Sequence, residues 1–249
     1  MAIRTGWVGT SGKAETGKAW VSEARVEVRL PRAGWMSEMI GKSTEVRFVN
    51  TVNHTQANIH ALMGSPTAAN IYIFENTGII SAAAGGGWAL QTGSFPAGST
   101  LKIINRGGIR GGGGNGGAAG NGGAGGTALI LNFPTTIDNT GGTIWGGGGG
   151  GGGLRDHTGT LGNGGGGAGI PGGTGHATGS ATAGGAGRGF PNATCGAGGS
   201  VGNAGGNTTV RSHTAGVTAY GGGRGGYSVE TNGNAVTWVA AGDRKGSVV

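Results

Sequence analysis

Three short clusters in this 249-residue chain hold the side chains best suited to do chemistry. Arg155, Asp156, His157 and Thr158 stand together, and Arg211, Ser212 and His213 form a second group. A cation, a carboxylate and an imidazole in sequence are the ingredients of acid–base catalysis or of a metal site. Yet no H-E-x-x-H motif, paired cysteine or carboxylate cluster accompanies them, and the five histidines are dispersed. The third cluster, Gly9-Thr10-Ser11-Gly12-Lys13-Ala14, approximates a phosphate loop with the wrong glycine spacing, and Ala14 stands where Ser or Thr would touch magnesium. The pattern predicts no enzyme, no cofactor and no metal. It predicts polar loop positions on a rigid scaffold, which is where recognition concentrates.

The scaffold announces itself in glycine, which makes up 66 of the 249 residues. Between residues 107 and 226 there are 50 of them, and only 13 precede residue 107. This step divides the chain into 1–106 and 107–249. Leu, Ile, Val and Phe together number 42, about 17%, below the ~20% at which chains usually fail to bury enough apolar surface to fold. Disordered chains of such composition also carry high charge, whereas charged residues here are 11%. Something other than side chains must hold the second part together.

Its glycine blocks, 107–126, 146–153, 162–175, 184–189, 196–206 and 221–226, are separated by inserts at 127–145, 154–161, 176–183, 190–195 and 207–220. There is no Gly-X-Y period, which excludes collagen, and too little serine for a flexible linker. Glycine runs can take the polyproline II shape, with three residues per turn and about 3.1 Å rise, and without Cβ atoms neighbouring helices can pair N–H with C=O laterally. The expected fold is a small mixed α/β or mainly β domain over 1–106, followed over 107–249 by a polyglycine II helix sandwich with little regular α or β structure and a C-terminal strand.

In the first part, apolar and charged residues alternate over 24–30 as in a half-buried strand, and Trp35-Met36-Ser37-Glu38-Met39-Ile40 reads as a turn or two of amphipathic helix stopped by Gly41. Further strands are expected over 44–49, 70–74 and 100–104. Trp7, Trp20, Trp35 and Trp88 would supply most of a thin core, with one or two left exposed as anchors for a partner. The net charge of +7 and pI near 10.2 raise nucleic acid as a partner, but no basic run of five or more occurs. Cys195 is the single cysteine, so an internal disulfide is excluded and a small buried or loop thiol is expected. The N-terminus has no apolar core of a signal peptide and no stretch is long and apolar enough to span a membrane, so synthesis in the cytoplasm is expected.

If each glycine block makes one pass, the inserts alternate between two ends. Insert 127–145, with strand-like pieces at 128–131 and 143–145, suits the end nearest the first part. Block 146–153 then runs outward and places Leu154, Arg155, Asp156, His157 and Thr158 at the far end. A return through 164–169, a turn at Ile170-Pro171 and a second outward pass bring His176, Ala177, Thr178 and Ser180 there. Residues 190–195 would be a near-end turn, and Asn207, Thr208, Arg211, Ser212 and His213 a third far loop.

Three features resemble the receptor-recognising tip adhesin of T-even-type bacteriophage long tail fibres: Trp7-Val8-Gly9, the segment from Trp35-Met36-Ser37-Glu38-Met39-Ile40 to Gly41-Lys42-Ser43, and the Arg106-Gly107-Gly108 entry into glycine-rich motifs that include residues 146–153. The resemblance implies an attachment domain that docks on the distal tip of the trimeric fibre protein, with Trp7, Trp35, Met36 and Met39 as contacts. It also implies a polyglycine II sandwich whose far loops bind a porin-like outer-membrane protein of the host, at the fibre tip of the virion, without insertion into the membrane. Two other classes stay open from the residues alone. Arg-Gly-Gly entries at Arg106, Arg110 and Arg224 fit an RNA-binding protein, although the long glycine blocks lack clustered arginine and interleaved aromatics. A structural or antifreeze-type polyglycine protein would need flat repetitive faces rather than irregular inserts.

Overall fold

A computed structural model describes residues 3, 8–28, 30–39, 44–156, 159, 161–210 and 216–249. The chain begins with a helical unit: α1 (Val8–Thr16), α2 (Val21–Glu27) and a 3-10 turn over Met36–Met39. The expected strand over 24–30 is a correction, because most of it lies in α2. Val21, Ala24 and Val28 fall on one face at helical spacing and pack with Ile3, Met39 and Leu30, whereas Val26 points outward. The alternation misled because Arg25 is buried despite its charge. It is only 1% exposed, and its guanidinium donates from Nε to Pro31 O at 2.7 Å, from Nη1 to Trp35 O at 2.6 Å and from Nη2 to Ala33 O at 3.1 Å. Glu38 Oε2 pairs with Nη2 at 2.7 Å. One arginine thus holds the loop 31–38 in place. Trp20 and Trp35 do not form this core either, being 72% and 80% exposed, whereas Trp88 is half-buried.

Beyond Thr44, whose N–H donates to Glu15 Oε1 at 3.0 Å, the chain winds parallel coils whose strands build three faces. The first coil holds β1 (Glu45–Asn50), β2 (His54–Thr55) and β3 (Ala57–Asn58), followed by the single turn α3 (Ile59–Leu62) capped by Asn58. The second holds β4 (Ile71–Asn76), β5 (Ile79–Ser81) and β6 (Leu90–Gln91), and the third β7 (Thr100–Asn105), β8 (Gly108–Arg110) and β9 (Leu129–Ile130). The fourth begins with β10 (Thr135–Asp138) and β11 (Thr143–Trp145). Six short strands then intervene: β12 (Leu154–Arg155), β13 (Leu161–Gly162), β14 (Gly189–Phe190), β15 (Ala193–Thr194), β16 (Thr209–Val210) and β17 (Thr218–Ala219). The fourth coil closes with β18 (Val229–Glu230), and β19 (Val236–Ala240) and β20 (Asp243–Lys245) form a fifth.

The sheets β1-β4-β7-β10-β19, β2-β5-β8-β11-β20 and β3-β6-β9-β18 make a mainly β solenoid with few short helices. Strands from both sides of residue 106 share these sheets, so the step in glycine content is not a sheet boundary. In-register columns fill the interior, with Phe48, Phe74, Ile103 and Ile137 in one and Ile80, Ile109 and Ile144 in another. The terminal positions of these columns are Trp238 and Arg244, stacked at 5.3 Å, and His54 at the first coil. Polar groups therefore close both ends of the second column.

At the corner between the first and second faces stand four buried asparagines. Asn50 Nδ2 donates to Asn76 Oδ1 at 2.8 Å, Asn76 Nδ2 to Asn105 Oδ1 at 2.8 Å, Asn105 Nδ2 to Asn139 Oδ1 at 2.7 Å and Asn139 Nδ2 to Ala241 O at 2.7 Å. Close by, Arg106 grips Asp138 through both terminal guanidinium nitrogens, and with the Thr140 hydroxyl holds that carboxyl far below the usual range. Asn105→Ala is expected to strand Asn76 and Asn139 and destabilise the solenoid by about 3 kcal/mol, since each buried unpaired polar group costs roughly 1–3. At about 2–4 °C per kcal/mol for a chain of this size, the melting point should fall by roughly 6–12 °C, which thermal denaturation measures.

The glycine segments leave the solenoid between its second and third faces: 82–88 in the second coil, 111–127 in the third and 146–227 in the fourth. Residues 146–153 are buried throughout. Their N–H groups bond with a period of three: Gly147, Gly150 and Gly153 donate to Gly126, Gly123 and Gly120, Gly148 and Gly151 to Ala168 and Gly165, and Gly149 and Gly152 to Asn203 and Gly206. Their carbonyls accept with the same period from Gly202, Gly199 and Gly196, from Gly226, Gly223 and Tyr220, and from Gly114 and Gly117. One central segment is thus tied to six neighbours among the described residues, by bonds that no side chain makes. Trp145, packed on Ala168 and Val201 and flanked by Arg110 at 4.6 Å and Lys245 at 4.4 Å, anchors the bundle to the solenoid.

Candidate functional site at the free end of the glycine bundle

The same hydrogen bonds assign every insert to an end. Because Gly147 faces Gly126 while Gly153 faces Gly120, and Tyr220 faces Gly153, the free end gathers residues 117–121, 154–156, 161–163, 207–210 and 216–220. His176 N–H bonds Gly164 O and Arg188 N–H bonds Asn163 O, which adds residues 174–177 and 188–195. Asparagine side chains finish several segments there, with Asn207 Oδ1 accepting from Gly222, Asn121 Oδ1 from Gly221 and Asn115 Oδ1 from Thr174. Each supplies a carbonyl where no neighbouring segment continues.

The expected near-end turn at 190–195 is therefore a correction: β14 and β15 form a hairpin at the free end and pair with β16. The expected placement of 176–183 also changes. His176 is exposed at the free end, but Ala177 and Thr178 start a further pass and Ser180 lies at the solenoid end, where it bonds Ala183 and accepts from Gly169. That pass contains one glycine, Gly179, and so escapes a count based on glycine blocks. Its return through 184–188 inverts the parity of everything up to Cys195.

Two small antiparallel sheets make the tip, β13-β12-β17 and β14-β15-β16. Between them Leu154, Ala193 and Cys195 are buried and Phe190, Val210 and Val217 partly so. Burial pushes the Cys195 thiol up, against the opposing field of Arg188, so it packs as a small neutral hydrophobe. Leu154 therefore holds the tip together instead of standing outside it. Thr208, also buried, donates to the carbonyls of Gly152 and Gly153 at 2.9 and 2.7 Å. Arg155 and Asn207 are exposed and Asp156 half-buried. His157, Thr158, Arg211, Ser212 and His213 lie outside the described residues. Phe190, Pro191, Asn192 and Arg188, with Arg188 stacked over the Phe190 ring at 4.8 Å, are tip residues that reading the sequence missed. Phe190-Pro191-Asn192 between two glycine blocks carried the signal of a hairpin turn.

A second surface lies on the helical unit. Trp20 and Met36 line one cavity with Lys13, Lys18 and Val21, and Trp35 stands beside them in sequence, held by Arg25 through its carbonyl. Met39 is 1% exposed and supports that surface from within. Trp7 lies outside the described residues. Among the described residues no group of three or more His, Cys, Asp or Glu is placed to hold a metal, and no helix is long and apolar enough to cross a membrane.

A solenoid that sets loops at the end of a rigid glycine bundle, with a separate exposed aromatic surface, defines a binding protein. Comparison with known proteins gives its family. The model for the phage tail fibre adhesin Gp38 matches residues 40–249 and that for the Gp38 N-terminal domain matches residues 1–40, so the chain belongs to the Gp38 tail fibre adhesins. It is similar, at 30% identity and TM-score 0.67 over 100% of both chains, to a protein in the crystal structure of the gp37-gp38 adhesin tip complex of the bacteriophage S16 long tail fiber. As a member of this family it is a component of the phage tail fibre and not an enzyme.

Proposed function

We propose that this adhesin caps the distal tip of a trimeric long tail fibre through its helical unit and binds a porin-like outer-membrane protein of the host through the free end of the glycine bundle, thereby setting host range. The observation that carries this reading is that the chain presents two distinct exposed surfaces on different elements. One is aromatic, on the helical unit, and the other is loop-borne, at the end of the bundle. The similar S16 protein belongs to a gp37-gp38 complex, which supports a fibre partner for this chain. The attachment part is then better bounded near residue 40, where the two family models meet, than at residue 106.

The bundle is read as polyglycine II. What supports this is its hydrogen-bond period of three, matching the three residues per turn of that helix. Such a core holds the tip strands without relying on large side chains, so the loops are free to vary. Arg155 and Asn207, exposed at the free end, are contacts in this reading, and charge pairing at Arg155 would contribute mainly to specificity and on-rate.

Trp20→Ala combined with Trp35→Ala is expected to weaken co-purification with the fibre's C-terminal region at least about tenfold, as loss of an aromatic hot spot would. Adsorption of the isolated double variant to host membranes should be unchanged. Undiminished fibre capture by a folded variant would move the attachment surface elsewhere.

A further inference from the structure

The free end carries a groove with an apolar floor and walls. Leu154, Asp156, Phe190, Pro191, Asn192, Ala193 and Val217 line a cavity of about 220 Å³ between the two tip sheets. On the other side of the Phe190-Pro191 wall a smaller cavity is lined by Thr194, Thr209 and Val210. Phe190, Val210 and Val217 are only partly buried, so apolar surface continues from the small core of the tip to solvent. Such surface costs free energy while it faces water and returns it when covered.

The charge around it is predominantly positive. Arg155 follows Leu154 in the same strand and is exposed, and Arg188 is exposed and stacked on the Phe190 ring. Asp156 is the single carboxylate among the described residues of this end. We propose that the groove between Leu154, Phe190 and Val217 is the specificity pocket of the adhesin, and that it takes one aromatic or branched aliphatic side chain from an extracellular loop of the receptor protein that also carries carboxylates. The buried anchor supplies affinity and the flanking guanidiniums select acidic neighbours, a division expected of an apolar pocket with a charged rim. This rests on the reading of the free end as the receptor-binding end.

The test uses the full chain on its fibre fragment, with outer-membrane vesicles from a strain the phage infects as the probe. Asn192→Trp places an indole at the groove mouth from an exposed turn position, and Pro191→Arg places a charge there. Both should bind vesicles at least about tenfold more weakly than the parent, which corresponds to the loss of one anchor contact. Arg155→Glu with Arg188→Glu should also bind more weakly, and parent binding should fall as salt rises. Unchanged fibre capture and unfolding temperature confirm that each variant is folded. If the arginine variant loses binding while both groove variants keep it, the pocket is overturned and the free-end reading stands. If all three bind as the parent does, both readings fall. If the parent binds liposomes of the strain's lipopolysaccharide as well as it binds vesicles, the commitment to a protein occupant is overturned.

Discussion

Gly149→Val is expected to leave the chain without a folded glycine bundle. A Cβ at Gly149 would overlap the Gly223 carbonyl oxygen and come within 2.6 Å of Arg224 O, and both obstacles are backbone. A flexible side chain could rotate away, but these carbonyls are fixed by their own lateral bonds on either side. Overpacking an ordinary core costs about 1–3 kcal/mol because side chains yield. Here two whole segments must separate, which breaks several period-three hydrogen bonds worth about 1 kcal/mol each. With the overpacking added, the loss reaches the low end of the stability of a whole domain, about 5–15 kcal/mol. Gly189→Ala is the control: nothing lies within 4 Å of the added carbon, so melting should hold steady or rise slightly through reduced freedom of the unfolded chain. Circular dichroism and solubility decide the matter. A Gly149→Val protein that melts with the parent would show that the central segment tolerates displacement, contrary to its burial.

Arg25→Ala is expected to abolish fibre capture while leaving the solenoid intact. The replacement removes every bond that ties Pro31, Ala33 and Trp35 carbonyls to α2, together with the Glu38 pair. Glu38 is half-exposed, so the ion pair itself contributes little, but each hydrogen bond from the buried guanidinium contributes about 1.5–3 kcal/mol. The helical unit has a core of only a few side chains, namely Ile3, Ala24, Val28 and Met39 with Val21 and Leu30, so little else retains the loop. Trp35 then loses its fixed position and the aromatic surface is dispersed. Arg25→Lys should recover little of this, because an ammonium cannot reproduce the planar fork that reaches three carbonyls. Hydrogen exchange should rise over 30–39 and stay unchanged in the strands from β1 onward. Capture by Arg25→Ala at parent strength would mean that the fibre docks on another surface.

Much of the molecule was legible in its sequence, and the rest was not for specific reasons. The run 146–153 determined a close backbone contact, because eight residues without Cβ atoms between apolar strands leave little else for a segment that folds. The strands near 44–49, 70–74 and 100–104 were visible from period-two apolar positions, and β9 and β11 from the pieces at 128–131 and 143–145. What escaped was their stacking into one solenoid across residue 106. Its signal was present in Asn76-Thr77-Gly78-Ile79, Asn105-Arg106-Gly107-Gly108-Ile109 and Asn139-Thr140-Gly141-Gly142-Thr143-Ile144, where an asparagine precedes glycine and an isoleucine at each corner. The spacings of 26, 29 and 34 residues between ladder partners vary, because each coil is free to lengthen its loops at one corner.

Arg25 escaped for a different reason. Its charge placed it on a solvated face by any local rule, and only the carbonyls of a loop six to ten residues away make its burial favourable. The same holds for the tip. Sequence determined that short inserts would sit at the ends of glycine segments, since a polar turn residue such as Asn207 can replace a missing carbonyl and a glycine run cannot turn on itself without one. Which end each insert occupies was decided by the tertiary structure alone, because the direction of a pass depends on how many passes precede it. The pass that begins at Ala177 is built from Ala, Thr and Ser with one glycine, and nothing local distinguishes it from a loop. Only its lateral bonds to Gly166, Gly169, Gly173 and Ala186 make it a segment of the bundle, and through it bring Phe190 beside Leu154.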